Sequence, residues 1–343
     1  MNTKTRLCGI LILLVWGITS CDHKDYKWDI LGEDFETPVL TDQNTIQFMV
    51  HLDERQEFEI KGNGRMVIEW GDGKMAKVGY GEELEVPSHK YMPGSYRVKI
   101  WCEELTSLNI GDDVIVCSDI RFGSCPKLEG IYIDARTKAT SLDFSGCYKL
   151  KYLRVVDVSG LESVDVSQCA DLELLYINSQ PQLTQLDVSH NLELQSLECN
   201  NCSLAHLSLK ENRKLQYLGC LENRLTALDL SENRELGDIS CEGNLLKELD
   251  LTSLFKLHML FCDGNRLTSL SIAPGSLIRM LSCTDNLLDV EALNAIFLNL
   301  PDYSEREWSP GQILFSSNPG EKECDASILA VKNWTIREPQ NDY

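Results

Sequence analysis

Apolar and polar positions follow two different periods along this chain, and the change of period divides it. Between Thr45 and Cys102 apolar residues alternate singly with polar ones in short runs, at 46–50, 57–60, 66–70 and 96–100. Period-two alternation broken by glycine-rich turns predicts the half-buried strands of a small antiparallel sandwich. From Leu105 onward a longer repeat takes over. Leu183, Leu204, Leu225, Leu246 and Leu267 lie 21 residues apart, and so do Cys199, Cys220, Cys241, Cys262 and Cys283. Within one unit Leu215, Leu218, Cys220, Asn223 and Leu225 fill the frame L-x-x-L-x-L-x-x-N-x-L, with cysteine in the third apolar slot. Leu225, Leu228, Leu230 and Asn233 fill the same frame again, so the module is a half-turn of 10 or 11 residues and two of them make a coil. The frame runs upstream through Leu172, Leu161, Leu150, Ala139, Leu128 and Cys117 to Leu105, and downstream to Ile278 and Leu288. It predicts a mainly β solenoid of about eight or nine coils, with strands on two faces and little helix inside them. Residues 289–300 then show helical spacing closed by Pro301, which predicts an α/β cap in which Trp334 plugs the end of the stack.

The repeated residues have structural duties. One coil cannot bury its own apolar face, so the leucines point inward and stacking supplies the core. Asn223, Asn244, Asn265 and Asn286 predict one amide ladder, and Asn191, Asn212 and Asn233 a second. Each amide is placed to satisfy backbone groups where the chain bends off a strand. Cys202 replaces asparagine in the first ladder, and Cys125, Cys147 and Cys169 do so in the second. Fourteen cysteines invite a disulfide or metal reading. In-register neighbours stand about 4.8 Å apart with parallel Cβ vectors, which suits neither a bridge nor a tetrahedral zinc site, so buried free thiols are expected. Cys102 and Cys324 lie off the ladders, and the pattern leaves their pairing open. Asp143, Asp165, Asp187, Asp229 and Asp250, interrupted by Ser208 and Ser271, form an outward column. Aspartate and serine share the ability to accept from nearby backbone N–H groups, which accounts for the interchange better than calcium does. No metal and no cofactor are expected.

Three resemblances follow from these residues. The repeat resembles the short 21-residue class of bacterial leucine-rich repeats, related to those of internalin-like proteins, and this implies a scaffold for binding. Trp70-Gly71-Asp72-Gly73, His89-Lys90-Tyr91, Gly94 and Tyr96–Ile100 resemble the signature of the polycystic-kidney-disease (PKD) domain, which implies an Ig-like spacer or adhesion module capping the first coil. His89 has no carboxylate at useful spacing and reads as a turn residue packed on Tyr91. At the N-terminus, Lys4 and Arg6 precede an apolar stretch from Leu7 to Ile18, too short to span a bilayer. It runs into Ile18-Thr19-Ser20-Cys21, which resembles a bacterial lipobox and implies cleavage before Cys21 and lipid attachment there. Several acyl chains would hold the mature protein on a membrane without crossing it. The resulting divisions are 1–20 signal peptide, 21–40 flexible tether, 41–103 PKD-like sandwich, 104–288 solenoid and 289–343 cap. The outer membrane or cell surface is favoured over the inner membrane.

Composition then narrows the partners. The formal charge is -21, and removing Lys4 and Arg6 with residues 1–20 takes it to -23. So acidic a surface repels nucleic acid and anionic headgroups. The six histidines never fall near a nucleophile frame or paired carboxylates, so no catalytic residues are assigned and a hydrolase is the weakest reading. Function then belongs to exposed positions that vary from coil to coil. One outward slot reads Tyr132, Arg154, Tyr176, Glu198, Gly219, Ser240, Phe261 and Ser282, with Tyr152, Tyr217, Met259 and Met280 beside it. This irregular, aromatic-rich face is expected to bind a protein or glycan partner. The competing reading is neutral drift on an exposed sheet, in a passive structural lipoprotein of the envelope.

Overall fold

The computed structural model describes residues 35–79, 87–110, 116–133, 138–158, 160–305 and 310–337. The signal segment, Cys21 and most of the tether lie outside these residues. No helix among the described residues is long and apolar enough to cross a membrane.

The N-terminal part forms β1 (Thr45–Leu52), β2 (Gln56–Glu59), β3 (Lys61–Gly64), β4 (Met66–Glu69), β5 (Met75–Val78), β6 (Ser88–Tyr91) and β7 (Gly94–Trp101). The four alternating runs of the sequence are β1, β2, β4 and β7. Two further strands follow, β8 (Leu105–Ile110) and β9 (Val116–Phe122). A small antiparallel sheet has the order β5-β4-β7-β1-β9, and β2 and β6 pair separately. Between them Phe48 and Phe58 meet edge to face, with ring centroids 5.9 Å apart, among Ile68, Trp70, Tyr91, Val98 and Ile100. Gly73 takes φ 86°, as its tight turn requires. That turn gives His89 the partner the sequence spacing did not offer. Nε2 of His89 lies 2.9 Å from Asp72 Oδ2, while its ring stacks on Trp70 and meets Tyr91 edge-on.

The N-terminal sheet and the coils exchange strands. β3 pairs antiparallel with β8, which opens the long sheet, and β9, which carries Cys117 of the repeat frame, pairs antiparallel with β1. Its register shifts between Gln47 and Met49, opposite Asp119 at φ 57°, the signature of a β-bulge. The first half-turn is thereby drawn into the N-terminal sheet. A single apolar cluster runs from Ile46 to Trp334.

The rest is a β-solenoid of about ten turns, rather than eight or nine. The frame counted from Leu105 to Leu288 omits the cap, whose strands Gly311–Leu314 and Trp334–Ile336 continue the same sheet. Among the described residues that sheet has twelve strands, all parallel except β3. The second face departs from expectation, because among the described residues only two short pairs form there: Ser141–Asp143 with Ser163–Asp165, and Glu248–Leu251 with Ser269–Ile272. The aspartate column forms a local turn along this face. Oδ1 of Asp143, Asp165, Asp187, Asp229 and Asp250 accepts the backbone N–H two residues on, at 2.8–3.0 Å. The same turn forms where strands pair, at Asp143, Asp165 and Asp250, and where none is formed, at Asp187 and Asp229.

The ladders form as the repeat requires. Nδ2 of Asn244 donates to the carbonyls of Cys220 and Cys241, and Oδ1 accepts from Leu225 N–H at 3.0 Å. Cys199, Cys220, Cys241, Cys262 and Cys283 are buried free thiols in line. Cys102 is not off the ladders. It is buried against Cys125 at the head of the second one, because the chain enters the first coil directly from β7.

The C-terminal cap closes the stack with α1 (Val290–Asn299) and α2 (Ser327–Val331). Asp289 caps α1 by accepting from Ala292 N–H at 2.8 Å. Trp334 is 5% exposed and donates to the Pro301 carbonyl at 2.8 Å. It packs so closely on Gly311 that a Cβ there would lie 2.5 Å from its ring.

Candidate recognition face

The long parallel sheet projects its outward residues in two adjacent columns. In-register pairing aligns Tyr132, Arg154, Tyr176, Glu198, Gly219, Ser240, Phe261 and Ser282 in one. The second contains Tyr152, Leu174, Ser196, Tyr217, Asp238, Met259, Met280 and Gln312. All nine residues singled out from the sequence therefore share one sheet face: Tyr132, Tyr152, Arg154, Tyr176, Glu198, Tyr217, Met259, Phe261 and Met280. Arg154 is exposed and the other eight are half-buried. Alternate side chains go inward to the core, as strand geometry dictates.

A third column at the sheet margin escaped the sequence reading. Asn178 Nδ2 donates to Glu198 at 2.8 Å, Asn200 N–H donates to Asn178 Oδ1, and Leu221 N–H donates to Asn200 Oδ1. Further along, Asp263 Oδ1 accepts from Ser282 Oγ and from both the N–H and hydroxyl of Thr284. Glu242 lies between these groups. Burial raises its carboxyl to about 7, helped by the like charges of Asp263 and Glu222, and Oε2 has no partner. These positions carry the same 21-residue register as the ladders and were legible by it. Their polar character made them look like ordinary turn residues.

At the C-terminal end of the face a cleft of about 590 Å³ opens between Asp238, His258, Met259, Arg279, Met280, Pro310 and Gln312. Burial raises the Asp238 carboxyl above its ordinary value, and its Oδ1 is buried without a hydrogen-bond partner. Only Met259 and Met280 of this cleft were singled out beforehand. Pro310 lies outside the repeat, so periodicity does not bring it here.

A loop edge away from the strands has a different character. Lys127 with Glu104, Lys149 with Asp171, and Lys214 with Glu193 form ion pairs between successive coils at 2.5–2.9 Å. Lys256 pairs with Glu235 in the same way. Each repeats the stacking geometry, and exposed pairs of this kind contribute little stability.

No protein-family model matches the chain, and no curated protein matches it. Among solved structures it is similar to the functional domain of InlJ from Listeria monocytogenes, which includes a cysteine ladder. There the identity is 22% and the TM-score 0.43, over 71% of this chain and 62% of that one. It is similar also to the LRIM1/APL1C complex, at 18% identity and TM-score 0.43, over 61% of this chain and 45% of that one. A third is an internalin (inlF) from Listeria monocytogenes, at 17% identity and TM-score 0.38, over 68% and 83% of the two chains. This chain spans less than two thirds of the first two. The stacked frames, the amide ladders and the continuous parallel sheet define a leucine-rich-repeat solenoid.

Proposed function

We propose that this chain is a non-catalytic recognition protein of the bacterial cell envelope. It is anchored through lipid on Cys21 and binds a protein or glycan partner through the outward face of its long sheet. The observation that carries this reading is the contrast between columns. The ladder and core positions recur from coil to coil, whereas the two outward columns change residue at nearly every coil and hold four tyrosines, a phenylalanine and two methionines on one surface. Aromatic and methionine side chains supply large contact area, and their concentration on one face is the composition of a binding surface. The outer membrane or cell surface is the proposed location, and exposure at the surface would leave the face open to an external partner.

Capture from solubilised envelope and host proteins, run beside a glycan array, tests the reading. Specific capture that disappears in the triple variant Tyr132→Ala, Tyr176→Ala, Phe261→Ala supports it. Absence of any capture overturns it in favour of a passive envelope scaffold, and turnover of a polymeric substrate would overturn the non-catalytic assignment. Protease shaving of intact cells tests the location.

A further inference from the structure

Residues 35–44 lead into β1 without forming a strand or helix, yet they are fastened at both ends. The end next to β1 is knitted into the sheet. Asn44 Oδ1 accepts from the N–H and the hydroxyl of Thr41 at 2.8 and 2.9 Å, and Nδ2 donates to the Val39 carbonyl at 3.1 Å. Thr45 Oγ1 donates to the Thr41 carbonyl at 2.6 Å, and Gln47 Nε2 donates to Asp42 at 2.8 Å. The carbonyls of Asn44 and Gln43 accept from the N–H groups of Cys102 and Ser124.

One residue holds the other end. The Phe35 ring stacks on Trp101, with centroids 6.2 Å apart and planes 25° from parallel. Lys77 Nζ lies 4.4 Å from the Phe35 ring centroid and Arg65 Cζ 5.3 Å from it, so two cations meet the π-system. Lys77 Nζ also donates to the Phe35 carbonyl. Trp101 is the last residue of β7, paired with Thr45, and beneath this cover it is 8% exposed. Between the two fastenings Glu36, Thr37 and Val39 are exposed, Val39 at 80%. The middle of the segment buries little apolar surface, so its closure depends on Phe35.

We propose that Phe35 is a latch that straps residues 35–40 to the N-terminal sheet, with the Thr41–Asn44 turn as its pivot. The latch sets how far the folded part stands from its anchor. A fully extended chain from Cys21 reaches at most about 50 Å to Phe35, and about 70 Å to Thr41. Opening the latch therefore lengthens the reach of the recognition face by up to about 20 Å. This standoff role rests on lipid attachment at Cys21, whereas the latch itself does not.

The test uses the unlipidated chain from residue 21 to 343 with Cys21→Ser. Three rates are read by mass spectrometry under native conditions: cutting after Glu36 by a glutamyl endopeptidase, acetylation of Lys77 by acetic anhydride, and amide exchange across 36–44. In the parent, cutting after Glu36 should be slower than in a free peptide of residues 31–41. Phe35→Ala should speed that cut and the acetylation of Lys77 about tenfold or more, the loss expected for one aromatic stack and its cation contacts. Acetylation of Lys74 on the neighbouring turn should not change. Phe35→Tyr, which keeps the ring, should stay close to the parent in all three rates. Amide exchange in β1 and β7 should be the same in every variant, which separates an opened latch from a lost fold. Cutting after Glu36 in the parent as fast as in the peptide overturns the proposal, as do unchanged rates in Phe35→Ala. Loss of protection in β1 and β7 on the same substitution also overturns it, because Phe35 would then be core. The mass of the Cys21 peptide from cells decides the anchor separately. An unmodified Cys21 overturns the standoff role and leaves the latch to be decided by the three rates.

Discussion

At the scale of single residues, the interchange of asparagine and cysteine has a hydrogen-bonding explanation. In the first ladder an asparagine is used at both ends: Asn244 donates to two carbonyls and accepts from Leu225 N–H. In the second ladder only the donor end is used. Nδ2 of Asn212 bonds the carbonyls of Val188 and Asn191, while Oδ1 of Asn191, Asn212 and Asn233 has no protein partner. A thiol can donate weakly but is a poor acceptor, so cysteine suits the second ladder, where Cys169 donates to the Phe144 carbonyl at 3.5 Å. Cys202 is the exception within the first ladder, and it obeys the same rule. The N–H it would have to accept, that of Leu183, is already taken by the Gln180 carbonyl at 3.0 Å. Asn244→Cys should therefore cost about 1–3 kcal/mol more than Asn212→Cys, the penalty for a buried N–H left unpaired. Urea unfolding midpoints of the two variants check the order, and equal midpoints would refute it. Glu242 supplies a pH prediction at the same scale. Burial raises its carboxyl from 4.5 to about 7 in the folded state, so between those values the native chain holds a proton that the unfolded chain has released. Stability from this group is thus present below about pH 4.5 and lost as pH rises toward 7, by on the order of 3 kcal/mol. Glu242→Gln should flatten that part of the stability–pH curve and leave the variant more stable than the parent at pH 7.

Elements show where periodicity sufficed and where it did not. The 21-residue spacing placed the core leucines, the cysteine line and both ladders, because each depends on stacking alone. It could not tell a strand from a turn on the second face, since x-L-x-L is common to both. It also placed Cys117 in a coil, whereas β9 pairs with β1. Both edges offer an apolar alternating partner, and a local pattern does not say which neighbour wins. The nine face residues were legible because outward slots alternate with inward ones. The cleft beside them was not, since Pro310 and Gln312 come from the cap, outside the repeat. That cap makes a prediction of its own. Trp334 fills the space over Gly311, and Tyr303 donates to the Ile278 carbonyl at 2.7 Å, so the last coil is sealed by aromatic side chains. Trp334→Ala should cost about 3–5 kcal/mol locally. In a solenoid each coil is held by its neighbours, so the loss should spread inward from the C-terminal end. Hydrogen exchange should show protection falling first around Met280–Ser282 and Gly311–Leu314, with β1 and β7 unchanged. Uniform loss across the chain would contradict this picture.

For the whole molecule, the question is whether the N-terminal sheet is a detachable spacer. The change of period after Cys102 invites a cut there, and a PKD-like module would ordinarily survive one. The strand exchange argues otherwise. Removing 41–103 takes β3 from β8 and β1 from β9, which uncovers the edge of the long sheet and half the pairing of the first repeat strand. It also removes Phe48, Ile46 and Ile100 from an apolar cluster that continues without a break into Leu105, Leu108 and Cys125. An uncovered parallel edge is a template for association, and solenoids need a closed end to stay soluble. The deletion variant should therefore aggregate or bind a hydrophobic dye, with its near-ultraviolet dichroism weakened. The reciprocal fragment, 41–103 alone, should fail to form the five-stranded sheet, because β9 is one of its edges. Light scattering and dye binding on the deletion, and a one-dimensional proton spectrum on the fragment, check both expectations. A soluble, cooperatively unfolding solenoid without residues 41–103 would show that the exchanged strands are ornament. The opposite result would mean that the first coil and the sheet before it fold as one unit.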